Sequence, residues 1–368
     1  MQIKKRKIPL SRATKNDLVT YALVIAAFAV LQPLKANGKL SSSLAGQLVP
    51  ICAYIVMAIS LNMTVGVLGE LSLGHAGFMS LGAFTGVVTA VSLQNVLPAP
   101  ILRLAVSMLV GGLVAGLAGF IIGLPVLRLQ GDYLAIVTLA FGEIIKNVVN
   151  CLYVGVDAAG LHIGMTDTAS LGMQNGTVII NGPMGAVGIP KISTFAMGFA
   201  LILLTLFVVL NLIRSRSGRA IMAVRDNRIA AESVGISITK YKLMAFIVSA
   251  VLAGMAGALF AMNYSTIAAK KFDFNTSILV LVFVVLGGMG NIRGSIIATT
   301  VLYVLPEMLR SFADLRMLLY AIVLIAVMLA TNSEGAKRLR ERAADRMRRM
   351  IPRRSADANG KPERRNRA

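Results

Sequence analysis

The chain has 368 residues, of which 56% are hydrophobic and 14% charged, and its mean hydropathy is +0.75. Soluble chains are about one quarter charged, and their helices carry a polar face at every turn or two, so this composition excludes a soluble enzyme and indicates an integral membrane protein. The net charge of +21 does not indicate nucleic-acid binding, because the basic residues flank apolar runs and do not form a recognition module.

Ten apolar runs follow one another along the chain, and most approach the roughly 20 residues that cross a bilayer as a helix. They lie at 18–34, 44–66, 72–93, 102–125, 132–154, 192–213, 243–263, 277–290, 294–309 and 316–331. We therefore predict an all-α integral membrane protein with about ten transmembrane helices. The membrane domain, 18–331, lies between a basic N-terminus, 1–17, and a basic tail, 332–368.

The first run follows basic residues, as the apolar core of a signal peptide does. Pro33 and Lys35 occupy the position where a small-residue cleavage site would lie, so we predict a retained span. The tail is arginine-rich and polar and contains proline and glycine, which predicts that it is partly disordered.

Lysine and arginine cluster beside the spans in the N-terminus, in segment 214–242 and in the tail. Such an excess marks the cytoplasmic side of a membrane protein, so we predict that all three segments, including both termini, are cytoplasmic. The connection 155–191 has Lys191 as its one basic residue and is predicted to be an external loop. Counting ten spans from a cytoplasmic N-terminus places these segments on the same sides of the membrane as the charge pattern does.

Two glycine-studded segments interrupt the spans. The first, 66–86, contains Glu70 and His75, and the second, 286–295, contains Asn291. Glycine-interrupted segments in both halves of a membrane chain point to broken helices along a transport route. Glu70, His75 and Asn291 are therefore candidate pathway residues, and a plain cytoplasmic hairpin is the alternative for the second segment.

The fifth apolar run carries ionisable residues. Glu143 lies mid-span, where an ionised group costs at least ~2.5 kcal/mol unless it is paired or hydrated. Lys146 is three residues further along and shares a helical face with Glu143, so the two can pair. Asp132 follows Arg128 at the inner boundary, as an interfacial ion pair would. Asp132, Tyr133 and Glu143 are candidate pathway residues, and a structural Glu143–Lys146 pair is the alternative.

The basic segment 214–242 is predicted to contain one short amphipathic helix, and Gly235 is placed to end it. Four apolar residues can share one side of this helix: Ile221, Val224, Ile229 and Val234. A helix of this kind either lies on the membrane surface or docks onto a partner protein.

Several motifs in this order resemble a known family. The segment from Gly218 to Ile236 resembles the coupling loop of ABC importer permeases. More narrowly, Gly-Asp-Tyr-Leu-Ala-Ile-Val-Thr-Leu-Ala-Phe-Gly-Glu-Ile at 131–144 is similar to the M-type (LivM-like) permease subunit of branched-chain amino-acid ABC transporters. Segments 73–76, 285–290 and 305–307 fit the same family, and the resemblance covers about 45–331.

The resemblance implies a permease bundle similar to the vitamin B12-type importer fold, in the bacterial plasma (inner) membrane. It implies as partners a homologous second permease subunit, two cytoplasmic ABC ATPases that bind ATP and Mg²⁺, and an extracytoplasmic solute-binding protein. The sequence contains no G-x-x-x-x-G-K-[ST] loop, so ATP is expected to be hydrolysed by a separate subunit, and no catalytic residue or cofactor is expected in this chain. His75 and His162 are its only histidines and no ligand cluster accompanies them, so no metal site is expected.

The residues expected to contribute to the ATPase-coupling loop are Gly218, Arg219, Arg225, Asp226, Asn227, Ala230, Ala231, Glu232 and Gly235. The family often places an acidic residue before two alanines, whereas Glu232 follows them here. An ion-coupled secondary transporter is the alternative, because it needs no ATP-binding loop and intramembrane carboxylates can carry protons. A membrane enzyme would need clustered His, Asp or Ser residues at one depth, and the sequence shows no such cluster.

Overall fold

The structure is a computed structural model that describes residues 12–38, 41–129, 131–157, 160–173 and 176–309, with isolated positions between 318 and 329. The chain divides into two compact units, Met1–Arg316 and Met317–Ala368. All features below belong to the first unit. The tenth predicted span, the tail 332–368 and residues 1–11 of the basic N-terminus lie outside the described residues.

The described part of the chain is mainly helical, and nine of the predicted spans coincide with helices. In chain order the helices are α1 (Arg12–Ala36), α2 (Ser42–Asn62), α3 (His75–Ser92), α4 (Pro100–Val126), α5 (Asp132–Asn150), α6 (Phe195–Arg214), α7 (Arg216–Asp226), α8 (Arg228–Ser233), α9 (Ile238–Ala261), α10 (Phe274–Gly287) and α11 (Ile292–Met308). Helix α2 continues directly into a π-helix, Met63–Leu68.

Six of the described helices are long and apolar enough to cross a membrane, by length and composition alone. They are Asp17–Ala36, Ser42–Leu68, His75–Ser92, Pro100–Val126, Phe195–Arg214 and Ile238–Ala261. Helix α10 has 14 residues, which correspond to about 21 Å and fall short of a hydrocarbon core of ~30 Å. The full count of about ten spans therefore stays a prediction.

Helices α3, α4 and α9 pack closely through their glycines. A methyl group added to Gly82 of α3 would lie 2.0 Å from the carbonyl oxygen of Gly254. A methyl group added to Gly257 of α9 would lie 2.0 Å from the carbonyl oxygen of Met79. Backbone therefore touches backbone at both places. Such close approach is how helices associate in lipid, where hydrophobicity cannot drive them together.

Replacing Gly82 with valine is therefore expected to lower the thermal midpoint of the purified protein. The added side chain would meet backbone atoms that cannot rotate away, and overpacking of this kind costs about 1–3 kcal/mol. A methyl group on Gly46 of α2 would have no neighbouring atom within 4 Å, so Gly46→Val is the matched control. Equal midpoints for the two variants in a detergent melt would contradict the packing.

A five-stranded antiparallel sheet lies at one end of the bundle, and the all-α prediction did not include it. The strands are β1 (Tyr153–Asp157), β2 (Gly160–Gly164), β3 (Thr177–Asn181), β4 (Ala186–Val187) and β5 (Thr266–Ile267). Their order is β2-β1-β3-β4-β5, with Val154 opposite Ile163 and Ala186 opposite Ile267. Valine, isoleucine and threonine in β1 and β3 favour an extended backbone. The predicted external loop, 155–191, therefore folds into this sheet and caps the end of the bundle.

The sheet and the α7–α8 segment lie at opposite ends of the bundle. Helix α6 starts just after β4 and ends just before α7, whereas α9 starts just after α8 and ends just before β5. The N-terminal part of α1 lies at the α7 end, because Asp17 pairs with Arg214 and Thr20 accepts a hydrogen bond of 2.6 Å from Arg293 Nε.

Candidate functional site

Segment 214–242 forms two helices, so the prediction of one amphipathic helix is wrong. Asn227 separates α7 from α8 with an extended backbone (φ −155°, ψ 107°), and its side chain accepts a 3.0 Å hydrogen bond from the Ala230 N–H. Asparagine is a favoured N-cap residue, so it starts a new helix here. The prediction that Gly235 ends the helix is confirmed: Gly235 follows α8 with φ +81°.

The break at Asn227 separates the four apolar residues that were predicted to share one side. Ile221 and Val224 are buried, whereas Ile229 and Val234 are 81% and 74% exposed. Ala231 on α8 is buried against Val224. The segment therefore has an anchored apolar face on α7 and a separate exposed apolar pair at α8.

The other coupling-loop candidates have distinct local roles. The N–H of Gly218 donates to the Ser215 side chain (3.0 Å), which caps α7. Arg219 donates to the carbonyl oxygen of Arg214 (3.1 Å), and Arg225 bonds Asp226 through two nitrogens (2.8 and 3.0 Å). Ala230 and Glu232 are exposed on α8.

Arg225 also connects α7 to the first glycine-studded segment. Its Nη1 donates to the carbonyl oxygen of Gly66 (3.1 Å), and its aliphatic stem lies against Gly69, where a methyl group would come within 2.6 Å of Cγ. Gly69 has φ +80°, a conformation that favours glycine. The basic segment is therefore bonded directly to the end of the π-helix.

Glu70 forms an ion pair with Lys242, a residue that the sequence interpretation did not single out. Lys242 Nζ donates to Glu70 Oε1, and the side chains of Lys242 and Glu70 are only 5% and 14% exposed, respectively. A buried charge is stable only when it is paired, so each side chain requires the other. A lysine within an apolar helix is the signal from which the pair was predictable.

His75 is buried in the core at the start of α3. Its Nε2 lies 2.7 Å from Ser60 Oγ, and Ser60 donates to the carbonyl oxygen of Met57 (2.8 Å). The ring is 2% exposed, so His75 lines no open surface of the chain.

The two glycine-studded segments are in contact with each other. Residues 288–291 form a tight turn between α10 and α11, and a methyl group on Gly66 would lie 2.1 Å from Gly290 N. Asn291 is exposed and caps α11 by accepting a hydrogen bond from Gly294 N–H (3.3 Å). The turn gives the hairpin that was the alternative prediction, and it contacts the π-helix.

Helix α5 lies at the edge of the described bundle, with one face against α3. Gly142 packs on Gly74, the residue before α3, and a methyl group added to Gly142 would lie 3.3 Å from Gly74 Cα. On the outward side, Asp132 is exposed and Tyr133 is 72% exposed. Among the described residues, no ion pair joins Asp132 to Arg128.

Glu143 pairs with Lys146 on the same helix, and neither side chain is fully buried. Glu143 lines a small pocket together with Asp273, the N-cap of α10, and Lys146 acts on the charge of Asp273. Asp273 accepts a 3.0 Å hydrogen bond from Thr276 N–H. Burial acts to raise the pKa of Asp273. Hydrogen bonds from Thr276 and the Asn275 side chain, and the positive charge of Lys146, outweigh burial and hold this pKa below its usual value.

A large groove between α1, α2, α6 and α11 is unsuited to a charged solute. Its volume is about 410 Å³, and its lining is apolar apart from Thr300. A charged solute would lose its hydration there without gaining partners. The polar surface of α5 is the better candidate for a solute pathway.

Comparisons with known proteins identify relatives of this chain. Residues 43–330 match the family described as branched-chain amino acid transport system / permease component. The chain is 34% identical over 314 residues to the high-affinity branched-chain amino acid transport system permease protein LivM of Salmonella typhimurium, and 33% identical to that of Escherichia coli. Each alignment covers 75% of this chain and 66% of the relative.

A more distant relative is the ribose import permease protein RbsC of Haemophilus influenzae, 25% identical over 77% of this chain and 83% of the relative. No solved structure matches the chain. The family match covers most of the sequence and all of the helices from α2 to α11. The chain therefore belongs to the branched-chain amino acid transport system permease family.

Proposed function

We propose that this chain is the membrane permease subunit of an ATP-driven ABC importer for branched-chain or related amino acids in the bacterial inner membrane. It forms half of the translocation pathway with a homologous second permease subunit. Two cytoplasmic ABC ATPases bind ATP and Mg²⁺ and drive it, and an extracytoplasmic solute-binding protein delivers the substrate. One observation carries the coupling role: α8 presents an exposed apolar pair at the end of the bundle opposite the sheet.

The exposed pair suits a protein partner. Ile229 and Val234 are both exposed, and so are their sequence neighbours Arg228 and Glu232. Exposed apolar side chains next to charged ones are typical of a protein–protein contact. Ala231 of α8 packs against Val224 of α7, so movement of α8 is transmitted to α7. A six-residue helix buries too little apolar area to bind a bilayer firmly.

The outward face of α5 is proposed to line the pathway. Asp132 and Tyr133 are exposed on α5, and Glu143 and Lys146 are partly exposed near the start of α10. Lipid cannot solvate these groups, so within a membrane the face must meet water or another subunit. A second permease subunit that faces α5 would enclose a polar route between the two chains.

Glu143→Gln is expected to lower substrate uptake about tenfold, or ~1.4 kcal/mol, because it removes a pathway charge and leaves Lys146 unpaired. The measurement is uptake by the reconstituted transporter, together with its thermal midpoint. A structural role alone would lower the midpoint and leave the uptake rate per folded protein unchanged. That second outcome would contradict the pathway assignment.

The ends of the bundle support the proposed sides of the membrane. The basic segment and the N-terminal part of α1 lie at one end of the bundle. This end is proposed to face the cytoplasm, and both termini are proposed to lie on the cytoplasmic side. The sheet lies at the other end and is proposed to face outside, where the solute-binding protein docks.

The proposal is tested by recovering the tagged chain from its native membrane in mild detergent and identifying the proteins that accompany it. We expect two kinds of subunit, ATPases with a G-x-x-x-x-G-K-[ST] loop and a second hydrophobic permease. A chain that purifies alone and transports without ATP would instead be an ion-coupled secondary transporter.

A further inference from the structure

Asn62, the last residue of α2, joins the two helix breaks of the bundle. Its Oδ1 accepts a hydrogen bond from Gly290 N–H (2.7 Å), and its Nδ2 donates to Ser295 Oγ (2.8 Å). Asn62 is 1% exposed and Ser295 is fully buried. One amide therefore binds both the turn before α11 and the first turn of α11 itself.

The backbone at these breaks is in direct contact. A methyl group on Gly66 would lie 2.0 Å from Asn62 Oδ1 and 2.1 Å from Gly290 N. No side chain fits between the π-helix and the α10–α11 turn. Buried hydrogen bonds in a medium of low dielectric are costly to leave unmade, so the two segments are held as one body.

The same π-helical segment is held from the other side by the basic segment. Arg225 of α7 donates to the Gly66 carbonyl oxygen, and Lys242 of α9 binds Glu70. The contacts therefore run without interruption from α8 through α7 to Gly66, and from Asn62 to the α10–α11 turn. π-helices often occur at functional sites, where the regular helix is interrupted.

We propose that Asn62 is a positioning residue that transmits movement of α7 to the α10–α11 turn. The two helix breaks then shift together when the partner ATPases move α8. This inference rests on the proposed function, because it assumes that the ATPases act on the bundle through α7 and α8. It adds that the buried contacts of Asn62 with Gly290 and Ser295 carry this movement to the second half of the bundle.

The test replaces Asn62 with leucine, which has a similar size and makes neither hydrogen bond. The assembled transporter, with its permease partner and ATPases, is placed in lipid vesicles, and amino-acid uptake and ATP hydrolysis are both measured. We expect hydrolysis within about twofold of wild type and uptake per ATP lower by about tenfold, within the range of coupling between distant sites. Ser295→Ala removes one of the two hydrogen bonds and is expected to give a smaller loss.

Thr205→Val is the matched control, since it removes a buried hydrogen bond to Leu201 on α6, away from the breaks. Its uptake per ATP should equal that of wild type. Wild-type uptake per ATP in Asn62→Leu would overturn the inference. If the Asn62→Leu transporter does not assemble, wild-type uptake per ATP in the Ser295→Ala variant would overturn the inference instead. Failure of the proposed function is distinct, because the wild-type assembly would then show no ATP-dependent uptake.

Discussion

Replacing Ile229 and Val234 together with aspartate is expected to detach the chain from its ATPases while the membrane bundle stays folded. Both side chains are exposed, so the substitutions cost the free chain little. At an interface, the same carboxylates would be buried against apolar groups without a partner. Loss of a central contact costs about 2 kcal/mol or more, which weakens binding at least about thirtyfold. ATP-dependent uptake should fall to background.

The matched control places the same charges at the other end of the bundle. Leu161 and Ile163 on β2 are 50% and 63% exposed, and Leu161→Asp with Ile163→Asp should leave the ATPases bound. The measurement is the amount of ATPase recovered with the tagged chain. Full recovery with the α8 variant would exclude this surface as the docking site. Equal loss from both variants would show that added charge, and not the α8 contact, is responsible.

Lys242→Met is expected to destabilise the chain strongly. Glu70 would keep its charge in a site that is only 14% exposed, after losing the cation that neutralises it. Breaking a buried pair on one side typically costs about 3 kcal/mol or more. The change should appear as a lower thermal midpoint and a lower yield of folded protein in detergent.

The double variant Glu70→Gln with Lys242→Met should recover much of that loss, because it leaves no isolated charge. A neutral pair of similar size is often as stable as the ion pair that it replaces. The comparison of wild type, both single variants and the double variant isolates the interaction energy of the pair. A single variant Lys242→Met as stable as wild type would mean that the pair does not hold the π-helical segment to α9.

Most of the helices could be predicted from the sequence, because long apolar runs have few other structures in lipid. The glycines recurring four apart on α3, such as Gly82 and Gly86, have a spacing typical of close helix packing in lipid, and the structure packs them against α9. The contact between the Gly66 and Gly290 segments was not predicted. Sequence order cannot show which distant breaks meet, because that depends on how the whole bundle packs.

Three features differ from the sequence predictions for physical reasons. The β-sheet was missed because short strands carry a weak pattern beside helices of about 20 residues. The break at Asn227 was missed because apolar spacing alone was used, although an asparagine between two short runs is a capping signal. Lys242 was counted as one cytoplasmic charge among many. Its partner, Glu70, lies 172 residues away in the sequence.

The most direct test is uptake into lipid vesicles that contain the chain with its permease partner, its ATPases and its binding protein. Branched-chain amino acid should accumulate only when ATP is available on the side that carries α7 and α8. The Ile229→Asp, Val234→Asp variant, assembled in the same way, should show no accumulation. Accumulation without ATP, or driven equally well by an ion gradient, would contradict the assignment of this chain as an ATP-driven permease.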